Sequence, residues 1–265
     1  MYSSFTLIKK YLRYYWKASN GKGHGIHSPF VFDFITKVLR DKKKYPLYNK
    51  IEALRKKLLL VKTAIIVEDL GAGSSVNKSS VRTIGAIAAS SLKKPKYGQL
   101  LFRIVQYYKP KTIIELGTSL GVTTAYLASG NTNADVYTLE GAATVAAEAS
   151  KNLRSLDVSN VEVVTGNFDD TLPDVLPGID RIELAFIDGN HRKLPTINYF
   201  EQLLPKAATQ AVFIFDDIHW SSEMEEAWKY VQDHPAVYMT IDLFFIGLVI
   251  FNPQFKVPQH FIIRF

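Results

Sequence analysis

Short apolar runs recur along the chain from residue 112 onward, and each is followed by glycine, acidic or amide residues. Apolar runs of this length are typical of parallel strands that are covered on both faces. The carboxyl ends of such strands form the edge at which open α/β sheets bind ligands. The pattern therefore predicts a doubly wound α/β sheet with a ligand site at that edge. The five runs are residues 112–116, 136–139, 161–165, 182–187 and 212–215.

The first run leads into a glycine turn and then into a predicted helix. Glu115, Gly117 and Gly121 give the pattern E-x-G-x-x-x-G. Gly117 allows a tight turn and a close approach of the backbone to a ligand. Thr118 or Ser119 can cap the following helix, whose free N–H groups would then face a bound ligand.

Polar residues at the ends of the later runs add further candidates. Glu140 ends the second run, and an acidic residue there can accept hydrogen bonds from both hydroxyls of a ribose. The next three runs are followed by Gly166-Asn167-Phe168-Asp169, by Asp188-Gly189-Asn190-His191 and by Asp216-Asp217-Ile218-His219-Trp220. A glycine turn that is only a turn does not require acids at these further strand ends, so the pattern favours a ligand site.

Two more apolar runs, residues 237–244 and 247–251, lie almost side by side in the sequence. They predict an antiparallel final hairpin. We therefore expect a Rossmann-like, doubly wound, seven-stranded mixed sheet, preceded by an N-terminal helical cap. We expect residues 1–97 to form this cap on the substrate side and residues 98–265 to form the main ligand-binding domain.

Within the cap, the spacing of apolar positions predicts helices over residues 5–17, 30–39 and 48–60. The pair Ser28-Pro29 is typical of a helix start. Residues 64–75 also suggest a strand followed by an acid and a glycine turn. No acid-ended strand follows at the needed distance, so we expect a β-hairpin with a loop, or another part of the cap.

The segment from about residue 98 to residue 252 resembles the class I S-adenosylmethionine-dependent methyltransferases. Glu115-Leu-Gly-Thr-Ser-Leu-Gly121 is similar to the first motif of that family, and Glu140 to its ribose-binding acid. Asn167-Phe168 stands where the family usually has a residue that contacts adenine. The resemblance implies S-adenosylmethionine as the cofactor. The implied cofactor-binding residues are Glu115, Gly117, Thr118, Ser119, Gly121, Glu140, Asn167, Phe168 and Asp188.

The same residues have an alternative interpretation as a nicotinamide-binding fold. A dinucleotide fingerprint requires G-x-G-x-x-G, and its second glycine makes room for a pyrophosphate. Ser119 occupies that second position here. The sequence therefore favours a cofactor without a pyrophosphate, and the final hairpin points the same way.

Three carboxylates at neighbouring strand ends are candidates for a metal site. Asp188, Asp216 and Asp217 could converge on a hard cation such as Mg²⁺, which would orient a substrate hydroxyl and lower its pKa. This arrangement resembles the metal-dependent catechol and caffeoyl-coenzyme A O-methyltransferases. Those enzymes have an Asp-Asn pair after the fifth strand and a lysine three positions after the first Asp. This chain has Asp217 and His191 at those two positions.

A metal-free reaction is the second possibility. His191 or His219 could take the acceptor proton as general base, with Asp188 as the third candidate catalytic residue. A structural explanation also exists, because Asp217 could cap the helix that follows it. His24 and His27, three positions apart on a glycine-containing loop, are more consistent with a loop role than with a metal site.

Composition and charge limit the compartments and partners that we expect for this protein. The chain has 265 residues, no cysteine and a net charge of +7. The absence of cysteine fits a reducing compartment, so we expect a cytoplasmic protein. No run is long enough to span a bilayer. The basic residues near the N-terminus are expected to form solvated helix faces, since no nucleic-acid motif accompanies them.

The amphipathic segment 5–17 could pack on its own domain, form a homodimer contact or touch a membrane surface. For the chain as a whole, we predict a methyltransferase that transfers a methyl group to oxygen on a small molecule. Metal-independent N-methylation of a small molecule or protein is one alternative. A non-catalytic cofactor-binding or interaction protein is the other.

Overall fold

The computed structural model describes residues 1–19, 21, 28–69 and 78–265. Its fold class is the predicted one, a mixed α/β fold with a mostly parallel main sheet. Among these described residues the sheet has eight strands rather than the expected seven. Backbone contacts group the chain into two compact units, Lys42–Gly178 and the combination of Met1–Asp41 with Ile179–Phe265. The predicted functional division between residues 97 and 98 stays a prediction.

The unit Lys42–Gly178 contains the first three strands of the main sheet. Its elements are α3 (Pro46–Leu59), β1 (Ala64–Asp69), β2 (Lys78–Thr83), α4 (Ile84–Ser91), α5 (Pro95–Tyr108), β3 (Thr112–Leu116), α6 (Val122–Gly130), β4 (Asp135–Glu140), α7 (Ala143–Ser155), β5 (Val161–Thr165) and α8 (Phe168–Val175). Strands β3, β4 and β5 lie in that order and are parallel. Their carboxyl ends therefore share one edge, as the apolar runs predict.

The expected hairpin in the cap is confirmed. β1 and β2 pair in antiparallel register from Ala64 opposite Thr83. Helices α3 and α4 pack on the same hydrophobic core as α6, which includes Ile51, Ile87 and Tyr126. This packing explains why α3 and α4 lie against α6 within their own unit.

The second unit contains the other five strands. Its elements are α1 (Ser4–Lys17), α2 (Pro29–Phe34), a π-helical turn (Ile35–Leu39), β6 (Ile182–Ile187), α9 (Lys193–Leu203), β7 (Ala207–Asp216), α10 (Ser222–Asp233), β8 (Met239–Asp242), β9 (Ile246–Ile250) and β10 (Gln259–Ile262). Their order is β10-β8-β9-β7-β6. The antiparallel pair β8–β9 is the predicted final hairpin. The additional strand is β10, which pairs in parallel with β8 at the edge.

The first helices follow the predicted boundaries closely. Ser28 caps α2, where its hydroxyl oxygen accepts from the N–H of Val31 at 3.4 Å and Pro29 follows as first residue. The expected helix over residues 30–39 continues as the π-helical turn. His24 and His27 lie outside the described residues. In the described part of the chain, none of the helices combines the length and apolar character that crossing a bilayer demands.

Candidate active site

The glycine turn after β3 is held against the end of β4. The N–H groups of Gly117 and Thr118 both donate to the carbonyl oxygen of Leu139, at 3.0 and 3.1 Å. Gly117 has a φ of 109° and Ser119 a φ of 48°, so the turn passes through the left-handed region twice. The backbone at this turn is thus fixed in a strained, well-defined path beside β4.

Glu140 lies directly at this turn. Its Oε2 accepts from the N–H of Ser119 at 2.8 Å, and its Oε1 accepts from the N–H of Ala142 at 3.0 Å. Burial raises the pKa of the Glu140 carboxyl, while the hydrogen bonds from backbone N–H groups oppose that rise. The structure therefore brings together the glycine turn and the predicted ribose-binding acid.

Glu115 has a different position from the one expected. It is fully buried, and its Oε2 accepts from the hydroxyls of Thr124 and Thr138, at 2.5 and 2.7 Å. The hydroxyl of Thr118, also buried, lies 2.6 Å from that of Thr138. The side chains of Glu115 and Thr118 thus tie β3, β4 and α6 together behind the turn. The predicted direct contact of Glu115 and Thr118 with a cofactor stays a prediction.

Local backbone geometry gives Gly121 and Asn167, two other predicted cofactor residues, a structural role. Gly121 precedes α6 with a φ of 78°, and a Cβ there would lie 3.3 Å from the carbonyl oxygen of Ala149. Asn167 caps α8, where its side-chain oxygen accepts from the N–H of Asp169 at 3.2 Å. Phe168, the first residue of α8, is half-buried. Contact of Asn167 and Phe168 with adenine stays a prediction.

The structure places one residue near the turn that no sequence pattern indicates. Ser91, the last residue of α4, places its hydroxyl 2.7 Å from the hydroxyl of Ser119. Both groups are partly exposed. The end of α4 therefore borders the glycine turn.

In the second unit, the structure groups Asp188, His191 and Asp216. One ligand atom from each lies within 4.8 Å of the others, and the Oδ1 of Asp188 is 3.4 Å from the Nε2 of His191. Asp188 follows β6, Asp216 ends β7, and these strands are parallel neighbours. Asp216 is almost fully buried, whereas His191 is one-third exposed. Among residues 1–19, 21, 28–69 and 78–265, this is the only group of three or more acidic or histidine residues whose ligand atoms all lie this close together. We call it the acid–histidine group.

Asp217 does not join this group in the described structure, although the sequence predicts it as a ligand. Its φ is 52°, and its carbonyl oxygen accepts from the N–H of Trp220 at 2.9 Å. The alternative that Asp217 caps the next helix is wrong, because Ser221 caps α10 and accepts from the N–H of Met224 at 3.2 Å. His191 takes the third place in the candidate cluster.

His219 has an environment that contradicts a general-base role. Its Nε2 lies 2.8 Å from Asp242 Oδ2 and its Nδ1 lies 3.0 Å from Glu225 Oε1. Burial by itself would lower the pKa of His219, but hydrogen bonds and charges of Asp242 and Glu225 raise it above the ordinary value. Because each ring nitrogen of His219 lies within hydrogen-bond distance of a carboxylate oxygen, neither is free to accept a substrate proton. We therefore withdraw His219 from the candidate catalytic residues.

The network around His219 also includes the N-terminal helix. Lys10 Nζ donates to both oxygens of Glu225 at 2.9 Å, and the hydroxyl of Tyr2 donates to Glu225 Oε2 at 2.8 Å. These partners are more than 200 positions apart in sequence, so no local motif could indicate them. The charged network holds α1 on the unit that carries the acid–histidine group.

Comparisons with known proteins show what the chain is similar to. Residues 114–218 match the model of a family described as a methyltransferase domain. The curated catechol O-methyltransferase of Niastella koreensis is 32% identical over 127 residues, which cover 47% of this chain. The aligned part spans 57% of that relative, little more than half its length.

Solved structures share the fold. An O-methyltransferase from Bacillus cereus in complex with SAH is 20% identical, with a TM-score of 0.57, and the match covers 83% of this chain and 97% of that one. The O-methyltransferase TomG from Streptomyces achromogenes, in complex with SAM, is 17% identical with the same TM-score, and 79% and 91% are covered. These structures show the fold that the chain shares, and the family model shows that residues 114–218 are similar to a methyltransferase domain. That matched segment includes the glycine turn, Glu140 and the acid–histidine group.

Proposed function

We propose that this chain transfers a methyl group from S-adenosylmethionine to an oxygen atom of a small molecule. One observation carries the proposal: the half-buried carboxylate of Glu140 lies beside the strained turn Gly117–Gly121, at the ends of the neighbouring parallel strands β3 and β4. A carboxylate at this place can accept from two vicinal ribose hydroxyls. The turn leaves room for a cofactor that has no pyrophosphate.

The cofactor would be held by two kinds of residue. Gly117, Ser119 and Gly121 would present backbone atoms, and Glu140 would bind the ribose. Asn167 and Phe168, at the start of α8, would contact the adenine. The predicted contribution of Asp188 to cofactor binding is kept as part of this proposal.

The acceptor would be bound by the acid–histidine group. Two carboxylates and one imidazole form a set of ligands that fits a divalent cation, and the histidine favours Mn²⁺ or another transition metal more than Mg²⁺. When bound, such a cation would lower the pKa of an acceptor hydroxyl. The name of the Niastella koreensis relative makes a catechol the first acceptor to test.

The alternative without a metal is also supported by a specific contact. Asp188 Oδ1 lies 3.4 Å from His191 Nε2, so the carboxylate can orient the imidazole. His191 could then accept a proton from a hydroxyl or an amine. This arrangement keeps metal-independent N-methylation as the second candidate function.

Calorimetry with S-adenosylmethionine and with S-adenosylhomocysteine tests cofactor binding. Product formation from catechol, followed by mass spectrometry, tests the reaction. Binding of both ligands with O-methylated product is the expected result. A folded protein that binds neither ligand would contradict the proposal. Cytoplasmic location, homodimerisation and the lack of nucleic-acid binding stay predictions.

A further inference from the structure

Helix α1 has two apolar faces, and only one of them is packed. On the packed face, Tyr14 and Ala18 are buried in a cluster with Phe244. The hydroxyl of Tyr14 also donates to the carbonyl oxygen of Ile263. The first face therefore packs within the unit formed by Met1–Asp41 and Ile179–Phe265, in line with the first of the three possibilities named for this helix.

The second face is open to solvent. Phe5, Ile8, Leu12 and Trp16 are 66%, 58%, 54% and 84% exposed. Residues three or four positions apart lie on one side of a helix, so these four side chains form a continuous stripe. With Tyr15, which is also exposed, they form what we call the exposed α1 face. Single exposed apolar residues are ordinary, but five on one face are a patch.

Positive charge borders this face. Lys9, Arg13 and Lys17 are exposed, and α1 contains no acidic residue. Lys9 Nζ lies 4.3 Å from the centre of the Phe5 ring. Arg264 adds another cation, with its guanidinium 4.3 Å from the Tyr15 ring centre. A partner for this surface must combine an apolar interior with a negatively charged boundary.

We propose that the exposed α1 face binds an anionic lipid surface. The helix would lie in the plane of the interface, with Phe5, Leu12 and Trp16 inserted at the boundary of the acyl chains. The basic residues would meet the phosphate and anionic headgroups. Tryptophan is well suited to this boundary because its ring is apolar and its N–H is polar.

A second copy of the chain fits the surface less well. The helix has 14 residues, so its face is about 21 Å long and about 10 Å wide. That is well below the ~800 Å² that each partner contributes to a standard protein interface. Two copies of α1 would also bring like charges together, because the helix has no acid to pair with its lysines and arginine.

The helix is formed and anchored independently of any lipid. Lys10 and Tyr2 bind Glu225 on the side away from the exposed face. The N–H of Ser19 donates to the carbonyl oxygen of Ile262 at 2.9 Å. Substitutions on the exposed α1 face should therefore leave the fold intact, which makes the surface testable by mutation.

The experiment is co-sedimentation of the full chain with vesicles. One set of vesicles contains phosphatidylcholine alone and the other also contains phosphatidylglycerol. We expect binding to the anionic vesicles only, with a blue shift of tryptophan fluorescence that is lost in Trp16→Phe. The double variant Leu12→Ser/Trp16→Ser should reduce partitioning at least about tenfold, and Lys9→Glu/Arg13→Glu should do so by a similar factor.

Two control variants test whether a loss of vesicle binding is specific to the exposed α1 face. Leu60→Ser removes another exposed apolar side chain, and Lys56→Glu/Lys57→Glu makes the same change in net charge on α3. Both controls should partition like the unchanged protein. The proposal is overturned if anionic vesicles are not bound, or if the controls lose binding equally. It is also overturned if sedimentation equilibrium shows a dimer that Leu12→Ser/Trp16→Ser dissociates, since the face would then belong to a second copy.

Discussion

The N–H of Ser119 donates a 2.8 Å hydrogen bond to Oε2 of Glu140. This bond joins the strained turn after β3 to the end of β4, in one compact unit. Backbone N–H groups of Ser119, Gly141 and Ala142 form hydrogen bonds with the Glu140 carboxylate, whose two oxygens offer about four lone-pair directions. These bonds fix the carboxylate beside the turn, and under the proposed function its remaining capacity would accept from the ribose.

Replacing Glu140 by alanine should weaken cofactor binding. Two charge-assisted hydrogen bonds to the ribose would be lost, which corresponds to about 2 kcal/mol or more. Calorimetry with S-adenosylhomocysteine measures the change without requiring activity. Glu162→Ala, on the exposed side of β5, is the control and should bind normally. Unchanged affinity in Glu140→Ala would show that another residue binds the ribose.

Replacing Gly121 by alanine should destabilise the fold. The residue has a φ of 78°, which a side chain adopts only with strain of about 1–3 kcal/mol. A Cβ there would also lie 3.3 Å from Ala149 O and from Leu153 Cγ. Urea unfolding should therefore show a lower free energy of unfolding. Gly178→Ala is a close control, because its Cβ would meet no atom within 4 Å; equal losses in both variants would contradict the explanation.

The stability contributed by His219 should depend on pH. Because its pKa is raised in the folded protein, the contribution is complete below the unfolded pKa of about 6.5 and is lost as the pH rises through the folded pKa. His219→Asn should therefore cost about 2 kcal/mol or more in mildly acidic buffer, where two carboxylates lose a charged partner. Thermal or urea unfolding across a pH series should show this difference shrinking at alkaline pH.

The stability contributed by His260 should depend on pH in the opposite direction. Burial lowers its pKa, so its favourable contribution is present when the ring is neutral and is lost as the pH falls. The difference between the unchanged protein and His260→Asn should thus move in the other direction along the same pH series. Parallel pH trends for the two variants would contradict the assignment of the His219 network.

The sequence predicts most strands of the fold because buried parallel strands are short and almost wholly apolar. It does not predict β10, because Gln259–Ile262 is a polar pair followed by an apolar pair and lacks the continuous apolar run of the other strands. The extra strand exists because its backbone pairs with β8, and that long-range pairing has no local apolar signal.

The candidate site, like the fold, can be predicted from the sequence only in part. Glu140 and the glycine turn follow from spacing along consecutive strands. The direction in which a side chain points at a strand end does not follow from this spacing. Glu115 lies opposite Thr138 in the register of β3 and β4, and its side chain binds that threonine rather than facing the open edge. Asp216 and Asp217 are neighbours, and consecutive side chains diverge at the end of a strand, so only Asp216 reaches the group with Asp188.

The candidate metal site gives the last prediction. Two carboxylates and an imidazole that share one position favour a bound cation, since the like charges of Asp188 and Asp216 would otherwise repel each other. We expect the protein to bind Mn²⁺, measured by calorimetry without cofactor or acceptor. Asp216→Asn and His191→Gln should each weaken that binding at least about tenfold.

Asp217→Asn is the matched control, because this residue is adjacent in sequence to Asp216 but outside the group in the described structure. It should bind Mn²⁺ normally and keep its activity. Methyl transfer should stop in a strong chelator and return with Mn²⁺ or Mg²⁺, because the cation would lower the pKa of the acceptor hydroxyl. Full activity in the chelator would refute the metal and leave His191, oriented by Asp188, as the base. In that case His191→Gln should abolish turnover while cofactor affinity stays unchanged, which separates the two mechanisms with the same set of variants.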